Sequence, residues 1–173
     1  MNLLRKRIYQ IVLFVLYIGL LLFFSYESLK DGSSSSDSSS RISLIISSII
    51  EFFTGKDFII TDSFDYLVRK LIGHFSYFCL LGIISSLFYY SFVNNLKKLN
   101  YFSIVHFSTG FVFAFITEYL FQQIAIGRNP SMKDVIIDFS GFIFISSFIF
   151  LVLYFDFLRK FLKKSDKKHF FCI

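Results

Sequence analysis

Proline and cysteine are almost absent from this chain. Its 173 residues include one proline and two cysteines. Two cysteines, Cys79 within an apolar run and Cys172 near the end, exclude a disulfide framework. The closing "FCI" is no prenylation box, because its cysteine stands too near the terminus. Charge is also sparse, at 17% of residues. What charge there is forms no separate basic domain, so the net +6 does not point to nucleic acid. Alternating polar and apolar residues are missing as well, which argues against membrane strands. No catalytic-serine or thiolate motif is visible, and no metal-ligand spacing such as HExxH.

What fills the chain is apolar. Hydrophobic residues make up 55%, phenylalanine alone supplies 27, and mean hydropathy is +0.65. Four long runs stand out. Ile8 to Tyr26 is uncharged, Leu71 to Val93 holds only the titratable His74, and Leu99 to Thr117 holds only His106. The third run continues past Glu118 to Ile126, and the fourth covers Phe139 to Phe155 with a start near Lys133. At about 1.5 Å per helical residue each can cross a hydrocarbon core of about 30 Å. The expectation is an all-α polytopic membrane protein with four transmembrane helices, near 8–26, 70–93, 99–126 and 133–156, plus an outer amphipathic helix. The first run follows "RKR" but is longer than a signal-peptide core and lacks a small-x-small cleavage site, so it is expected to remain.

Lysine and arginine set the expected orientation. Residues 1–7 hold three, the 94–100 link two and the 157–173 tail six, which is 11 of 18 on one side. The positive-inside rule then places both termini in the cytoplasm. Residues 27–70 and 127–133 face outward. Within them, 27–41 contains "DGSSSSDSSSR" and is expected to be a flexible serine-rich linker. Residues 42–53 place Ile42, Ile45, Ile46, Ile49, Ile50 and Phe53 on one helical face, and are expected to lie at the interface or over the mouth of the bundle. The basic tail is expected to meet anionic phospholipid.

The ionisable residues gather near the outer ends of the spans. His74 follows Arg69 and Lys70 by one turn. Glu118, eight residues before Ile126, lies about 12 Å deep, with Gln122 one turn above it. Gly127 and Pro130 end that helix, Arg128 follows, and Asp134 and Asp138 occupy one face of the next. Ser131 with Asp134 also fits a helix-capping box. His106 reads as an interfacial histidine, and the inner half of each span reads as apolar. A carboxylate in the hydrocarbon region costs a few kcal/mol unless it faces protein or water. The expectation is a polar pocket formed by Arg69, Lys70, His74, Glu118, Gln122, Arg128, Asp134 and Asp138, roofed by "GRNPSMKD" and the amphipathic segment. A metal site from His74, Glu118 and Asp138 is conceivable, but no spacing motif supports it, and no metal or cofactor is expected.

This arrangement resembles the VanZ-like membrane proteins. The matching positions are Arg69, Lys70, His74, Phe75 and Gly82, then Glu118, Gln122, Gly127, Arg128, Asp134, Asp138 and Gly141. The chain departs from the family pattern at Tyr77, Phe78, Tyr119 and Ile126, and one extra residue separates Arg69-Lys70 from His74-Phe75. The resemblance implies a role at the cell envelope, linked in the founding member to teicoplanin resistance, and no defined reaction. Three readings stay open. One is a non-enzymatic protein binding a lipid or lipid-linked cell-wall molecule. The second is an enzyme modifying a lipid headgroup with His74 and Glu118 as acid–base partners. The third is a small transporter, for which the apolar inner half is unfavourable.

Overall fold

The computed structural model describes residues 3–169. It is an all-α polytopic membrane protein, with no strand among the described residues. Five long helices follow one another. They are α1 (Leu3–Leu29), α2 (Gly32–Thr54), α3 (Asp62–Tyr90), α4 (Leu96–Ile124) and α5 (Met132–His169). All but α2 are long and apolar enough to cross a membrane. Thr61 caps α3, its hydroxyl accepting from the Phe64 N–H at 3.2 Å, and Asn95 caps α4 by accepting from the Lys98 N–H at 2.8 Å. Gly127, at φ +71°, supplies the left-handed turn that ends the α4 region.

Two helices are not α-helical throughout. Arg69–Phe75 in α3 and Ile116–Phe121 in α4 wind as π-helix. In the first, the Ser76 N–H reaches back five residues to the Leu71 carbonyl, and the Ser76 hydroxyl donates to the same oxygen at 2.7 Å. A π-turn widens the helix and is common where a helix carries functional side chains.

The bundle core joins Phe24 of α1, Phe78 and Leu81 of α3, Ala114 of α4, and Val135 and Phe142 of α5. Glycine sets the tightest crossings. A side chain at Gly141 would strike the Phe75 backbone of α3, and one at Gly110 would strike the Phe142 ring. The outer surface is apolar: Ile11, Val15, Leu22, Ile104, Phe144, Phe148 and Leu151 are all exposed. In the most apolar window of each span only 11–33% of residues are buried. Such a surface suits acyl chains and not water.

The serine-rich segment is not a flexible linker. Residues 32–41 are the first half of α2, continuous with the expected 42–53 helix. The Gly32 N–H holds its start against the chain after α4, donating to the Ile126 carbonyl at 3.0 Å. Further along, Ser43 and Ser47 are buried while Leu44, Ile45, Ile49, Phe52 and Phe53 are exposed. Small serines thus face the protein and large apolar side chains face away. The Ser47 and Ser48 hydroxyls both donate to the Leu44 carbonyl at 2.9 Å, which spares serine the need for water. This inverted helix is the arrangement expected in lipid.

One end of the molecule carries the start of α1, the 91–95 turn and the far part of α5. The Gln10 amide binds the Ser91 carbonyl there at 3.1 Å. The other end carries α2 and the α4–α5 connection. A Gly141→Val substitution should push α3 and α5 apart and lower the melting temperature in detergent by about 3–10 °C. Gly19→Val, at a position with open space around it, should leave the melting temperature unchanged.

Candidate functional site

The eight residues singled out above fall at the α2 end of the bundle, and the helices bring them together. The π-turn of α3 carries Arg69, Lys70 and His74, and that of α4 carries Glu118 with Gln122 just after it. Asp134 and Asp138 lie one turn apart on α5. The close crossing at Gly141 and Phe75 sits directly beside His74 and one turn from Asp138. It therefore sets the distance between those two side chains.

At the centre His74 Nδ1 lies 3.1 Å from Asp138 Oδ1 and 3.6 Å from Glu118 Oε1. Glu118 and Asp138 are each 0% exposed. The Gln122 amide donates to Glu118 Oε2, which leaves Oε1 turned toward the histidine. Glu118 Oε1 and Asp138 Oδ2 have no hydrogen-bond partner. One turn above, the Lys70 ammonium pairs with Asp134, and both side chains are only 11% exposed. Asp134 therefore spends its carboxylate across helices, in addition to its position in the first turn of α5.

The two guanidinium groups are placed differently. Arg128 donates to the Ser28 carbonyl at 3.4 Å, and burial pulls it below the usual guanidinium range despite the opposing pull of Glu118. Arg69 lies over the Tyr66 ring at 5.9 Å. Among the described residues neither arginine forms an ion pair. Lys133 is exposed and stands outside the cluster.

Two cavities meet here. A polar one of about 370 Å³ is lined by Lys70, Gln122, Asn129 and Asp134, with Gly32 and Ser36 of α2 above. An apolar one of about 450 Å³ is lined by Phe23, Phe24, Ile42, Ile72, Tyr77 and Leu80. Arg69, His74 and Arg128 belong to both walls. The residues over the cavities are thus Gly127, Arg128 and Asn129 together with the serine-rich half of α2, and only Ile42 comes from the 42–53 stretch. Tyr77 stacks on Phe24 at 4.2 Å and donates its hydroxyl to the Leu20 carbonyl.

Sequence reasoning misplaced His106. It is not interfacial but 0% exposed, about 18 Å along α4 from Glu118. Its Nε2 lies 2.9 Å from Ser146 Oγ and 3.3 Å from Ser86 Oγ, and its ring stacks on Phe142 at 4.6 Å. The half of the bundle away from α2 is therefore not uniformly apolar. Three polar side chains from α3, α4 and α5 meet inside it around His106 Nε2, while His106 Nδ1, also buried, has no hydrogen-bond partner. The serines at 85, 86 and 146 sit within apolar runs, and only their helical register against His106 could have signalled the cluster. Cys79 donates weakly to the Gly141 carbonyl at 3.3 Å, and Cys172 lies outside the described residues.

No family model, curated protein or solved structure matches this chain. The geometry alone therefore carries the functional reading.

Lys70→Met should leave Asp134 buried without its partner and destabilise the protein by about 3–5 kcal/mol. Combining it with Asp134→Leu should recover most of that loss. Thermal unfolding of both variants in detergent measures the difference.

Proposed function

We propose that this protein is a cell-envelope membrane protein that binds an amphipathic anion, a lipid or lipid-linked cell-wall molecule carrying phosphate or carboxylate. One observation carries the reading: Arg69 and Arg128, without a carboxylate partner among the described residues, stand where a polar and an apolar cavity share a wall. An anionic headgroup on two guanidiniums gains charge-assisted, bidentate hydrogen bonds. The adjoining cavity of about 450 Å³, walled by phenylalanine, isoleucine and leucine, suits part of an acyl or prenyl chain. Burial of Arg128 strengthens the argument, since a partly desolvated cation gains most from an arriving anion.

In this proposal the pocket opens outward and both termini are cytoplasmic. Support comes from the basic residues: Arg5, Lys6, Arg7, Lys97, Lys98 and Arg159 all belong to the end opposite α2. The basic tail then meets anionic phospholipid of a bacterial inner leaflet. Kinship with the VanZ-like proteins, and with it a bearing on teicoplanin sensitivity, belongs to the same proposal and rests on the residue pattern alone.

A second reading is a headgroup-modifying enzyme, favoured by the 3.6 Å approach of His74 to Glu118. Binding without chemistry leaves extracted envelope lipids unchanged between cells with and without the gene. A mass change that His74→Ala abolishes establishes the enzyme instead.

Nanodisc-embedded protein should retain phosphatidylglycerol over phosphatidylcholine in native mass spectrometry. Each charge-assisted contact is worth about 1.5–3 kcal/mol, so Arg69→Ala with Arg128→Ala should reduce that retention at least about tenfold. Equal retention by wild type and variant refutes the pocket. For orientation, a cysteine at 128 should react with an impermeant reagent in intact cells and one at 97 should not, in a background lacking Cys79 and Cys172. The reverse pattern inverts the topology.

A further inference from the structure

His74, Glu118 and Asp138 come from three different helices and aim one donor atom each at a common point. All three donor atoms lie within 4.8 Å of one another. Of the two distances from His74 Nδ1, 3.6 Å is that of neighbouring ligands on one ion and 3.1 Å is slightly shorter. Bonds of about 2.0–2.2 Å at tetrahedral angles separate ligand atoms by about 3.3–3.6 Å. A direct His–carboxylate contact accounts for Asp138 Oδ1. It does not account for Glu118 Oε1 and Asp138 Oδ2, which are buried and have no hydrogen-bond partner.

We propose that His74, Glu118 and Asp138 hold one divalent transition-metal ion, of the Zn²⁺ or Mn²⁺ class. Charge supports it. Two carboxylates and a neutral imidazole sum to −2, and a divalent ion brings this buried cluster to zero. Nearby Lys70 does not do so, because Asp134 neutralises it. One nitrogen and two oxygen donors suit Zn²⁺ or Mn²⁺ better than a thiolate-seeking or an all-oxygen ion. The surrounding shell fits as well. Gln122 donates to the far oxygen of Glu118, the outer contact that fixes a ligating carboxylate. Phe24 meets the His74 ring edge-on at 6.3 Å and restricts its rotation.

Three protein ligands leave a position free, as in metal sites that exchange water for a substrate oxygen. His74 lines both cavities and Glu118 one of them, so that position is reached from the pocket. The identity of the exchanging ligand, a phosphate or carboxylate oxygen beside Arg69 and Arg128, rests on the anion-binding reading. The metal site itself does not.

Tag-free protein in detergent, stripped with EDTA and delipidated, is titrated with Zn²⁺ by calorimetry. The expected result is one equivalent per chain with a dissociation constant at or below about 10 µM, which His74→Ala and Asp138→Asn each weaken at least tenfold. Gln122→Ala keeps all three donors and should weaken binding about 10- to 100-fold. His106→Asn should leave it unchanged. X-ray absorption at the zinc edge of the wild type needs no variant to fold, and should show one imidazole nitrogen with oxygens and no sulfur. No binding by the wild type at 100 µM Zn²⁺, a sulfur shell, or full affinity without His74 overturns the proposal. The Arg69→Ala, Arg128→Ala variant should lose lipid retention and keep Zn²⁺. Zinc bound by a protein that retains no anion then overturns only the pocket reading, and lipid retention without zinc overturns only the metal site.

Discussion

Burial of two carboxylates in an apolar bundle is the constraint on which this structure turns. Glu118 and Asp138 are fully enclosed, and neither has water or lipid headgroup within its own helix to turn to. Asp138 finds its partner, His74, across a helix interface, and Glu118 is held by Gln122 of its own helix with His74 3.6 Å away on the next. These contacts fix how α3, α4 and α5 meet at the α2 end. Gly141 permits the close crossing, His74 arrives beside Asp138, and Gln122 turns Glu118 toward the same point. The Lys70–Asp134 pair repeats the arrangement one turn higher. An apolar bundle with no such groups could slide in register, because lipid and leucine are equally good neighbours for a helix.

The same logic explains the inverted α2. In water its isoleucines and phenylalanines would face the protein and its serines the solvent. Here the serines at 43 and 47 are buried and the large residues are exposed. A small side chain allows close backbone approach, and the Ser47 hydroxyl is satisfied by the Leu44 carbonyl of its own helix, while the Ser43 hydroxyl has no hydrogen-bond partner. Around Gly32 the approach is closest, where a Cβ would strike the Gly127 carbonyl. The serine-rich half of α2 thereby lies over both cavities and is part of their walls.

The sequence was most legible where lipid imposes length. Four uninterrupted runs led to four spanning helices, and the charges at their ends identified the residues that now converge. Three features were less visible. Low complexity made 32–41 read as linker, although serine at helical spacing also describes a tightly packed face. The π-turns left no trace in the hydropathy pattern. His106 near a span end read as interfacial, because its partners Ser86 and Ser146 lie 20 and 40 residues away. The convergence of His74, Glu118 and Asp138 left no spacing motif either, since the three come from different helices.

The two polar clusters of the bundle separate packing from function. His106, Ser86 and Ser146 form an enclosed, uncharged set: all are fully buried, no described cavity touches them, and each serine contacts His106 Nε2, leaving only Nδ1 of the ring without a partner. They read as interhelical glue. The cluster at the α2 end differs in charge and in access. Two carboxylate oxygens are unpartnered, two guanidiniums lack carboxylates, and two cavities reach them. It also sits on both π-turns, a helix form that gives up regular hydrogen bonding to redirect side chains. Packing alone requires neither the guanidiniums without carboxylates nor the cavities that reach them. A site held ready for an ion and an anionic headgroup accounts for all of them together.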